Sequence, residues 1–426
     1  MNDRRVFLKQ AFATAAFAAL ARRLDAELPH RAHQGPEVAA RDESLWATVR
    51  EAYSPEPGTI WLQNLVFNPV AKGVHEAYLT SQRTLNAWPL ARLPKVFSRD
   101  AKTALRARLA RMLNASPDEV AFTRNTTEAM NIVIFGLDLK PGDEVVITTH
   151  DYGTFLDAWR QRERRDGITV RHIVVPTPPA SADEVVAPFA QAITGKTRAV
   201  MLCHIVDPTG LLMPVRRIAD LAHERGAQVL ADGALSFGCL PVDVKALGCD
   251  YYGTSLHKGI HAPWGTGLLY VKKDRIAALW PLFGAPESES AAITKLERIG
   301  TAPVAQWAAM DAALDVHEAI GIERIAARYR HLYHSWAERL RTVKGVTLHT
   351  PLSPELSLGI GTVGVDGVDA KALHTYLKEK RGISTWPIHY ETFQGLWVSP
   401  YTFTTPSELD RFVQAVTEVA AKGLPA

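Results

Sequence analysis

The chain has 426 residues, 47% of them hydrophobic, which is enough to bury large cores and predicts two or three domains. The formal net charge is only +3, and the first 26 residues, with five positive and two negative side chains, account for all of it. The remainder is balanced and has no basic character of the kind that binds nucleic acid, so no nucleic-acid partner is expected. The three cysteines, Cys203, Cys239 and Cys249, show no CxxC spacing. We therefore expect buried free thiols and no metal site.

The N-terminus, residues 1–30, is predicted to be a targeting segment rather than part of the fold. Residues 3–9 (DRRVFLK) resemble a twin-arginine export signal, and a short apolar stretch at residues 11–21 follows. That stretch is too short to span a bilayer as a stable helix, so no stable membrane anchor is expected. The twin-arginine machinery exports folded proteins. We therefore expect that machinery to be a partner of the chain, and we expect the protein to be located in the periplasm. An ordinary amphipathic N-terminal helix is the alternative.

The elements that follow alternate between strands and helices. Residues 31–60 are a largely polar N-terminal segment, expected to pack on the smaller domain or on a partner subunit. Strands are predicted at residues 120–123, 144–147, 169–175, 199–202 and 228–230, and residues 61–64 are a short strand or an entry segment. Helices are predicted at 99–110, 127–135 and 217–225, and a further helix follows the strand at 144–147 and runs through Trp159. This alternation predicts an α/β domain over residues 61–295, with a mostly parallel central sheet flanked by helices. Long helices at 305–320 and 322–343, short strands and a last helix at 407–421 predict a smaller α+β domain over 296–426.

Residues 125–128 (NTTE) lie between a predicted strand and a predicted helix. Free backbone N–H groups at a helix start favour an anion, and the hydroxyls of Thr126 and Thr127 add donors. This is therefore a candidate phosphate site, with simple helix capping by Thr126 as the alternative. Gly300-Thr301 precedes the first long helix of the smaller domain and is equally typical of a helix cap.

Asp232 ends an apolar strand, VLAD, at the sheet edge where ligands bind in open α/β folds. A carboxylate there can hold a pyridinium N–H and keep the ring protonated, which makes the ring an electron sink. Capping of the next turn is the alternative. Lys258 follows in residues 253–259 (GTSLHKG), flanked by Ser255 and His257. Its amine is placed to form a Schiff base, and the alternative is a surface lysine in a loop.

The order of these segments resembles the class V aminotransferase family of fold-type I pyridoxal-phosphate (PLP) enzymes. The resemblance covers nearly everything after Trp61 and is most specific in residues 214–274, which include PVRRIADLAHERGAQVLADGA, LGCDYYGTSLHKG and APWGTGLLYVKKD. The nearest branch is isopenicillin-N-epimerase-like. The export signal narrows it to the periplasmic members that tailor pyoverdine siderophores.

The resemblance implies PLP as the cofactor, with Lys258 as its covalent attachment and as general base. It places Asp232 at the pyridine nitrogen and Tyr152 against the ring, although Tyr152 as core filler is an alternative. The residues implied to hold the phosphate are Thr126, Thr127, Ser255 and His257. Thr301 is implied to reach the phosphate of the neighbouring subunit, so the resemblance implies a homodimer with shared active sites.

The sequence departs from the family at three positions. Leu235 replaces a Gln or His that contacts the ring hydroxyl. Gly259 replaces a bulky residue, and we expect Trp264 to fill that space. Trp397 replaces the arginine that grips the substrate carboxylate with a bidentate fork. Asn64, His389 and Trp397 are the candidates for the substrate pocket.

These features favour transamination of an amine on a peptide-like or siderophore-type secondary metabolite. A desulfurase is disfavoured because no cysteine follows Cys249. Two alternatives stay open: an isopenicillin-N-epimerase-like epimerase or racemase, and a catalytically altered PLP-fold binding protein.

Overall fold

The computed structural model describes residues 35–390 and 392–425, so the predicted export signal at residues 1–30 lies outside the described residues. The helices are α1 (Pro36–Ala40), α2 (Glu43–Glu51), α3 (Lys72–Ala87), α4 (Pro89–Val96), α5 (Arg99–Met112), α6 (Thr126–Gly136), α7 (Gly153–Asp166), α8 (Ala182–Ala192), α9 (Val215–Glu224), α10 (Val244–Leu247), α11 (Val304–Ile320), α12 (Ile322–Leu340), α13 (Ala370–Arg381) and α14 (Pro406–Lys422). In these ranges, none of the helices combines the length and the apolar character needed to cross a membrane.

The strands form three sheets. They are β1 (Ile60–Trp61), β2 (Val120–Thr123), β3 (Glu144–Thr148), β4 (Thr169–Ile173), β5 (Thr197–Cys203), β6 (Gln228–Asp232), β7 (Tyr251–Ser255), β8 (Gly267–Val271), β9 (Val346–Leu348), β10 (Gly361–Val365), β11 (Ile383–Ser384), β12 (Trp386–His389) and β13 (Gln394–Val398). The largest has seven strands in the order β2-β8-β7-β6-β5-β3-β4. Strands β3 to β7 run parallel, and β8 runs antiparallel to β2 and β7.

The central sheet is buried on both faces. Along β5, Val200 and Leu202 pack into one hydrophobic core, whereas Ala199 and Met201 pack into another. Successive side chains of a strand point to opposite faces, so the alternation means that helices cover each face. The predicted α/β fold with a mostly parallel central sheet is therefore confirmed.

A second, antiparallel sheet of four strands, in the order β12-β13-β10-β9, belongs to the C-terminal region. Helices α12, α13 and α14 contact it, and their apolar side chains form a third core around Trp336 and Phe412. This sheet and its helices correspond to the smaller α+β unit expected from the sequence. The small parallel pair of β1 with β11 joins residues 60–61 to the same region.

The N-terminal segment is attached to α12 of the same chain. Helix α1 packs along α12, where the guanidinium of Arg328 is fully buried. It donates hydrogen bonds to the carbonyl of Ala40 at 2.8 Å and to the Glu43 carboxylate, with Nη2 to Oε2 at 3.0 Å. A buried charge is tolerated only when it is paired and hydrogen-bonded, so this network fixes the segment to α12.

Candidate active site

The carboxyl ends of the central parallel strands meet at one edge of the sheet. Cys203 ends β5, Asp232 ends β6 and Ser255 ends β7, and Cys203 pairs directly with Asp232 in the sheet register. A cavity of about 510 Å³ opens at this edge. This is the position at which open α/β sheets bind ligands.

One wall of the cavity is a cradle at the start of α6. The backbone N–H of Thr126 donates to Oγ of Ser255 at 2.8 Å, and the two hydroxyl oxygens lie 2.7 Å apart. Asn125 caps the helix by accepting a hydrogen bond from the N–H of Glu128 at 2.9 Å. Thr127 lines the cavity in the same turn. The helix start and the hydroxyls of Thr126, Thr127 and Ser255 form a candidate anion site.

His257 completes this cradle. Its imidazole lines the cavity, and its buried Nδ1 has no hydrogen-bond partner among the described residues. Burial, and then the charge of Lys258, lower the pKa of His257 to about 4, so the ring is neutral at physiological pH. A buried polar nitrogen without a partner is costly, and a phosphate in the cradle would supply one.

Asp232 is a buried carboxylate whose charge needs a partner. Oδ1 accepts from the N–H of Ala234 at 2.8 Å, and the thiol of Cys203 lies 3.7 Å from Oδ2. Burial raises the pKa of Asp232 to about 6, although the Ala234 N–H and the charge of Lys258 act in the opposite direction. A cationic N–H placed against this carboxylate would favour its charged form.

Lys258 lies in a tightly packed turn after β7. Its carbonyl accepts a hydrogen bond from the amide of Asn68 at 2.8 Å. At the next residue, Gly259, a Cβ atom would lie 2.2 Å from the carbonyl oxygen of Phe237, so only glycine fits. The expectation that Trp264 fills the space beside Gly259 is therefore wrong, because the backbone of Phe237 occupies it. Trp264 is instead 60% exposed and packs on Phe67.

Tyr152 and Thr301 differ in their position relative to the cavity. Tyr152 lines it at the N-terminus of α7, 47% exposed, with its ring edge-on to Phe155. It is free to lie against a planar ring. Thr301 is exposed before α11 and does not line the cavity of its own chain. Its contact with the phosphate of a neighbouring subunit remains a prediction.

Of the three substrate-pocket candidates, only Trp397 lines the cavity, together with Leu235. Asn64 is fully buried elsewhere, and its amide donates to the Tyr329 hydroxyl at 2.9 Å and to a backbone carbonyl. His389 is exposed and pairs with Asp369 at 3.0 Å. These contacts hold both side chains away from the cavity described here.

Several residues that line the cavity were not predicted from the sequence. Asp207 follows β5, Phe67 follows β1, and Trp386 and Ile388 lie on β12. The rule that found Asp232, a carboxylate just beyond a parallel strand, would also have found Asp207. The other three come from segments distant in sequence, and no local pattern marks them.

Together these features match the chemistry of PLP. The cradle offers donors for a phosphate, Asp232 offers a carboxylate for a pyridinium N–H, and Lys258 offers an amine. The unpartnered Nδ1 of His257 and the buried carboxylate of Asp232 would each gain a partner if such a group were bound.

Comparison with known proteins supports the same assignment. The sequence profile described as Aminotransferase class-V matches residues 90–410. Isopenicillin N epimerase from Amycolatopsis lactamdurans is 30% identical over 396 residues, which are 88% of this chain and 99% of that protein. A cysteine desulfurase from Haloferax volcanii is 32% identical over 333 residues, covering 72% of this chain and 76% of that protein.

A solved structure of a C-DES mutant, with glycine covalently linked to its PLP cofactor, superposes with a TM-score of 0.76. It is 23% identical and covers 87% of this chain and 99% of the other. At this identity the structural similarity shows only the shared fold, whereas the family profile and the sequence relatives show the family. The chain belongs to the class V aminotransferase family, in the isopenicillin-N-epimerase-like branch, and its cofactor is pyridoxal phosphate.

Proposed function

We propose that this enzyme transaminates a primary amine on a peptide-like or siderophore-type secondary metabolite. The observation that carries the proposal is the lining of the cavity, to which Trp397 and Leu235 contribute apolar side chains. No arginine lies among the described residues that line the cavity. An arginine side chain is the usual partner of a substrate carboxylate. The lining therefore supports a substrate whose reacting amine does not depend on a carboxylate bound by arginine.

The residues of the site divide the work of the reaction. When bound, PLP supplies the electron sink that stabilises negative charge at the substrate carbon. Lys258 is the only lysine among the described residues that line the cavity. It takes a proton from that carbon and, for transamination, delivers it to a different atom rather than back to the same carbon. Asp232 would hold a proton on the pyridine nitrogen of bound PLP, and the cradle at Thr126 and Ser255 would hold its phosphate.

Epimerisation is the second candidate, because an isopenicillin N epimerase is similar over 99% of its own length. It begins with the same removal of a proton by Lys258, but a proton then returns to the same carbon from the opposite face and the nitrogen is retained. Incubation in deuterium oxide separates the two: epimerisation predicts deuterium at the substrate carbon without a carbonyl product, and transamination predicts a carbonyl product.

Desulfuration finds less support in this site. Cys203, Cys239 and Cys249 are all buried, and burial raises the pKa of each thiol. A buried thiol that stays protonated is a poor nucleophile. Cys203 does line the cavity, but its thiol is directed at the Asp232 carboxylate rather than toward the substrate wall.

The proposal includes a homodimer with shared active sites and export to the periplasm by the twin-arginine machinery. The dimer is supported by the exposed position of Thr301 before α11, from which it could contact a second subunit. Export is supported by the sequence motif at residues 3–9. Fractionation of cells that express the full chain, with Arg4 and Arg5 both changed to Lys as the control, tests the location.

The central experiment compares Lys258→Ala with Lys245→Ala, a change of an exposed lysine on α10. We expect Lys258→Ala to lose turnover by at least about 10³-fold, since it removes both the covalent attachment and the base. Borohydride reduction followed by peptide mass spectrometry should fix PLP to Lys258 in the parent and in Lys245→Ala. Unchanged product formation by Lys258→Ala would overturn the mechanism, and failure of the parent to retain PLP would favour a binding protein.

A further inference from the structure

Asn68 is a buried amide in the loop after β1, and it joins this loop to the turn that carries Lys258. Its side chain is only 1% exposed. Oδ1 accepts a hydrogen bond from the N–H of Leu65 at 2.7 Å, and Nδ2 donates to the carbonyl oxygen of Lys258 at 2.8 Å. Because the first partner is a donor and the second an acceptor, the orientation of the amide is fixed by its surroundings.

The second N–H of the Asn68 amide is also engaged. Nδ2 lies 3.3 Å from Nε2 of His261, and the other ring nitrogen, Nδ1, lies 2.9 Å from the carbonyl oxygen of Pro69. A carbonyl oxygen can only accept, so Nδ1 carries the proton and Nε2 accepts from Asn68. Burial lowers the pKa of His261 to about 4, so the neutral ring keeps this pattern at physiological pH.

The backbone of Leu65 shows why the loop needs this amide. Leu65 has a φ of 71°, in the left-handed region that residues other than glycine rarely adopt. It is buried, and it lines the cavity together with Val66 and Phe67. A strained backbone persists only where its surroundings hold it, and the hydrogen bond from the Leu65 N–H to Asn68 contributes to that hold.

The backbone of Lys258 is held mainly through its carbonyl group. The oxygen accepts from Asn68 and also from the N–H of His261 at 3.1 Å, whereas the N–H of Lys258 makes one longer contact, 3.4 Å, to the carbonyl of Ser255. Among the described residues, Asn68 is the only side chain that hydrogen-bonds to the backbone of Lys258. Loss of this amide would therefore loosen the backbone on which the reactive amine is carried.

We propose that Asn68 is a positioning residue for Lys258. It ties the backbone of the lysine to the loop at residues 65–67, and so holds the amine where the cofactor binds. Asn68 does not itself line the cavity, so it acts through Lys258 and not by contact with the cofactor. The inference rests on the proposed function, because it takes Lys258 as the covalent attachment of PLP.

The test compares two ligands of the cofactor site. PLP can bond to Lys258, whereas pyridoxine 5'-phosphate has an alcohol in place of the aldehyde and cannot. The PLP-loaded full chain is titrated to equilibrium with pyridoxine 5'-phosphate, and the loss of cofactor absorbance gives the concentration that displaces half of the PLP. We expect this concentration to fall about tenfold in Asn68→Ala, because only the ligand that bonds to Lys258 is weakened. A general loss of structure weakens both ligands together and leaves the displacement concentration unchanged.

Asn64→Ala is the matched control. Asn64 lies in the same segment and is fully buried, and its amide donates to the Tyr329 hydroxyl at 2.9 Å and to the Pro400 carbonyl at 3.1 Å, with no tie to Lys258. We expect Asn64→Ala to keep the displacement concentration of the parent. Thermal unfolding of both variants verifies that they are folded.

Asn68→Asp is the second variant, which decides the question if Asn68→Ala does not fold. It keeps the side-chain size and an acceptor for Leu65, but an ionised carboxylate has no donor for the Lys258 carbonyl. At pH 8 we expect its displacement concentration to fall in the same direction. Because both ligands carry the same phosphate, the effect of the added charge on that phosphate cancels in the comparison.

A displacement concentration in Asn68→Ala within about twofold of the parent overturns the inference, and so does an equal fall in Asn64→Ala. In either case the proposed function stands, provided that borohydride fixes PLP to Lys258 in the parent. If borohydride fixes no PLP to Lys258 in the parent, the proposed function fails and this inference fails with it.

Discussion

The two sides of the cavity follow different rules. The cofactor side, formed by Thr126, Asp232, Ser255, His257 and Lys258, is polar and comes from one edge of the central sheet and the start of α6. Leu235, Trp386, Ile388 and Trp397 form an apolar part of the lining, which we call the substrate side, and three of them come from the second sheet. The fold thus holds the cofactor chemistry on one rigid element and leaves the substrate wall to another, which can change without disturbing the first.

The largest effect is expected where the cofactor side loses charge. Asp232→Asn replaces the carboxylate that we propose holds the pyridinium proton by a neutral amide of equal size. We expect turnover to fall by about 10²- to 10³-fold, because the stabilisation of negative charge at the substrate carbon weakens. The bound PLP should remain detectable, since the cradle and Lys258 are unchanged. Turnover and the cofactor spectrum of the variant, beside Asp183→Asn at an exposed aspartate on α8, measure the two effects separately. Parent-like turnover with a parent-like spectrum would remove Asp232 from the mechanism.

Asp151 gives a pH-dependent test of the buried carboxylates behind the cofactor side. Its two oxygens accept the N–H groups of Thr148 at 2.7 Å and of Cys203 at 3.0 Å, and burial raises its pKa to about 7. The folded state therefore holds the proton more tightly than the unfolded state, whose carboxyl has the ordinary pKa near 3.8. The contribution of Asp151 to stability is fully present below about pH 4 and is lost as the pH rises through about 7.

We expect the free energy of unfolding of the PLP-free parent, minus that of Asp151→Asn, to fall by about 2–4 kcal/mol between pH 4 and pH 8. Urea unfolding at several pH values measures this difference. The subtraction removes the buried histidines, such as His204, whose lowered pKa makes stability fall toward acid instead. A difference that rises with pH would mean that Asp151 is paired and ionised in the folded state.

Gly259 tests how tightly the turn that carries Lys258 is packed. In Gly259→Ala the added methyl would lie 2.2 Å from the carbonyl oxygen of Phe237 and 2.9 Å from the sulfur of Cys239. Because a backbone atom must move, we expect a loss of about 2–3 kcal/mol in the free energy of unfolding and a weaker hold on PLP. Gly195→Ala, where a Cβ meets nothing within 4 Å, is the control and should be neutral. Equal stability of the two variants would show that the turn is loose.

Sequence reasoning found the cofactor side and missed much of the substrate side for one physical reason. Asp232 ends one regular strand and Lys258 lies in the turn just after another, so periodicity locates both and the parallel sheet brings them together. The substrate wall is made by long-range packing of β12 and β13 against the central sheet, which no local pattern encodes. Asn64 and His389 show the consequence. Each is next in sequence to a residue that lines the cavity, but its own side chain pairs with another residue instead.

The smallest effect is expected at Trp397, where the wall can be returned to the family's pattern. Trp397 is almost fully buried on β13, and its indole N–H has no partner among the described residues. In Trp397→Arg, a guanidinium would replace the indole in the lining of the cavity. We expect binding of simple α-amino acids to strengthen by about tenfold relative to the parent, because the guanidinium can then form a bidentate pair with the substrate carboxylate.

Trp397→Phe separates this charge effect from the loss of indole volume, because it shortens the side chain and adds no donor. It should leave the ranking of amines over amino acids as in the parent. Cofactor absorbance titrations with L-alanine and with 1-aminopropane, compared across the three proteins, give the ranking directly. If Trp397→Arg and Trp397→Phe bind L-alanine alike, the missing arginine does not set the specificity, and the wall excludes carboxylates by shape rather than by charge.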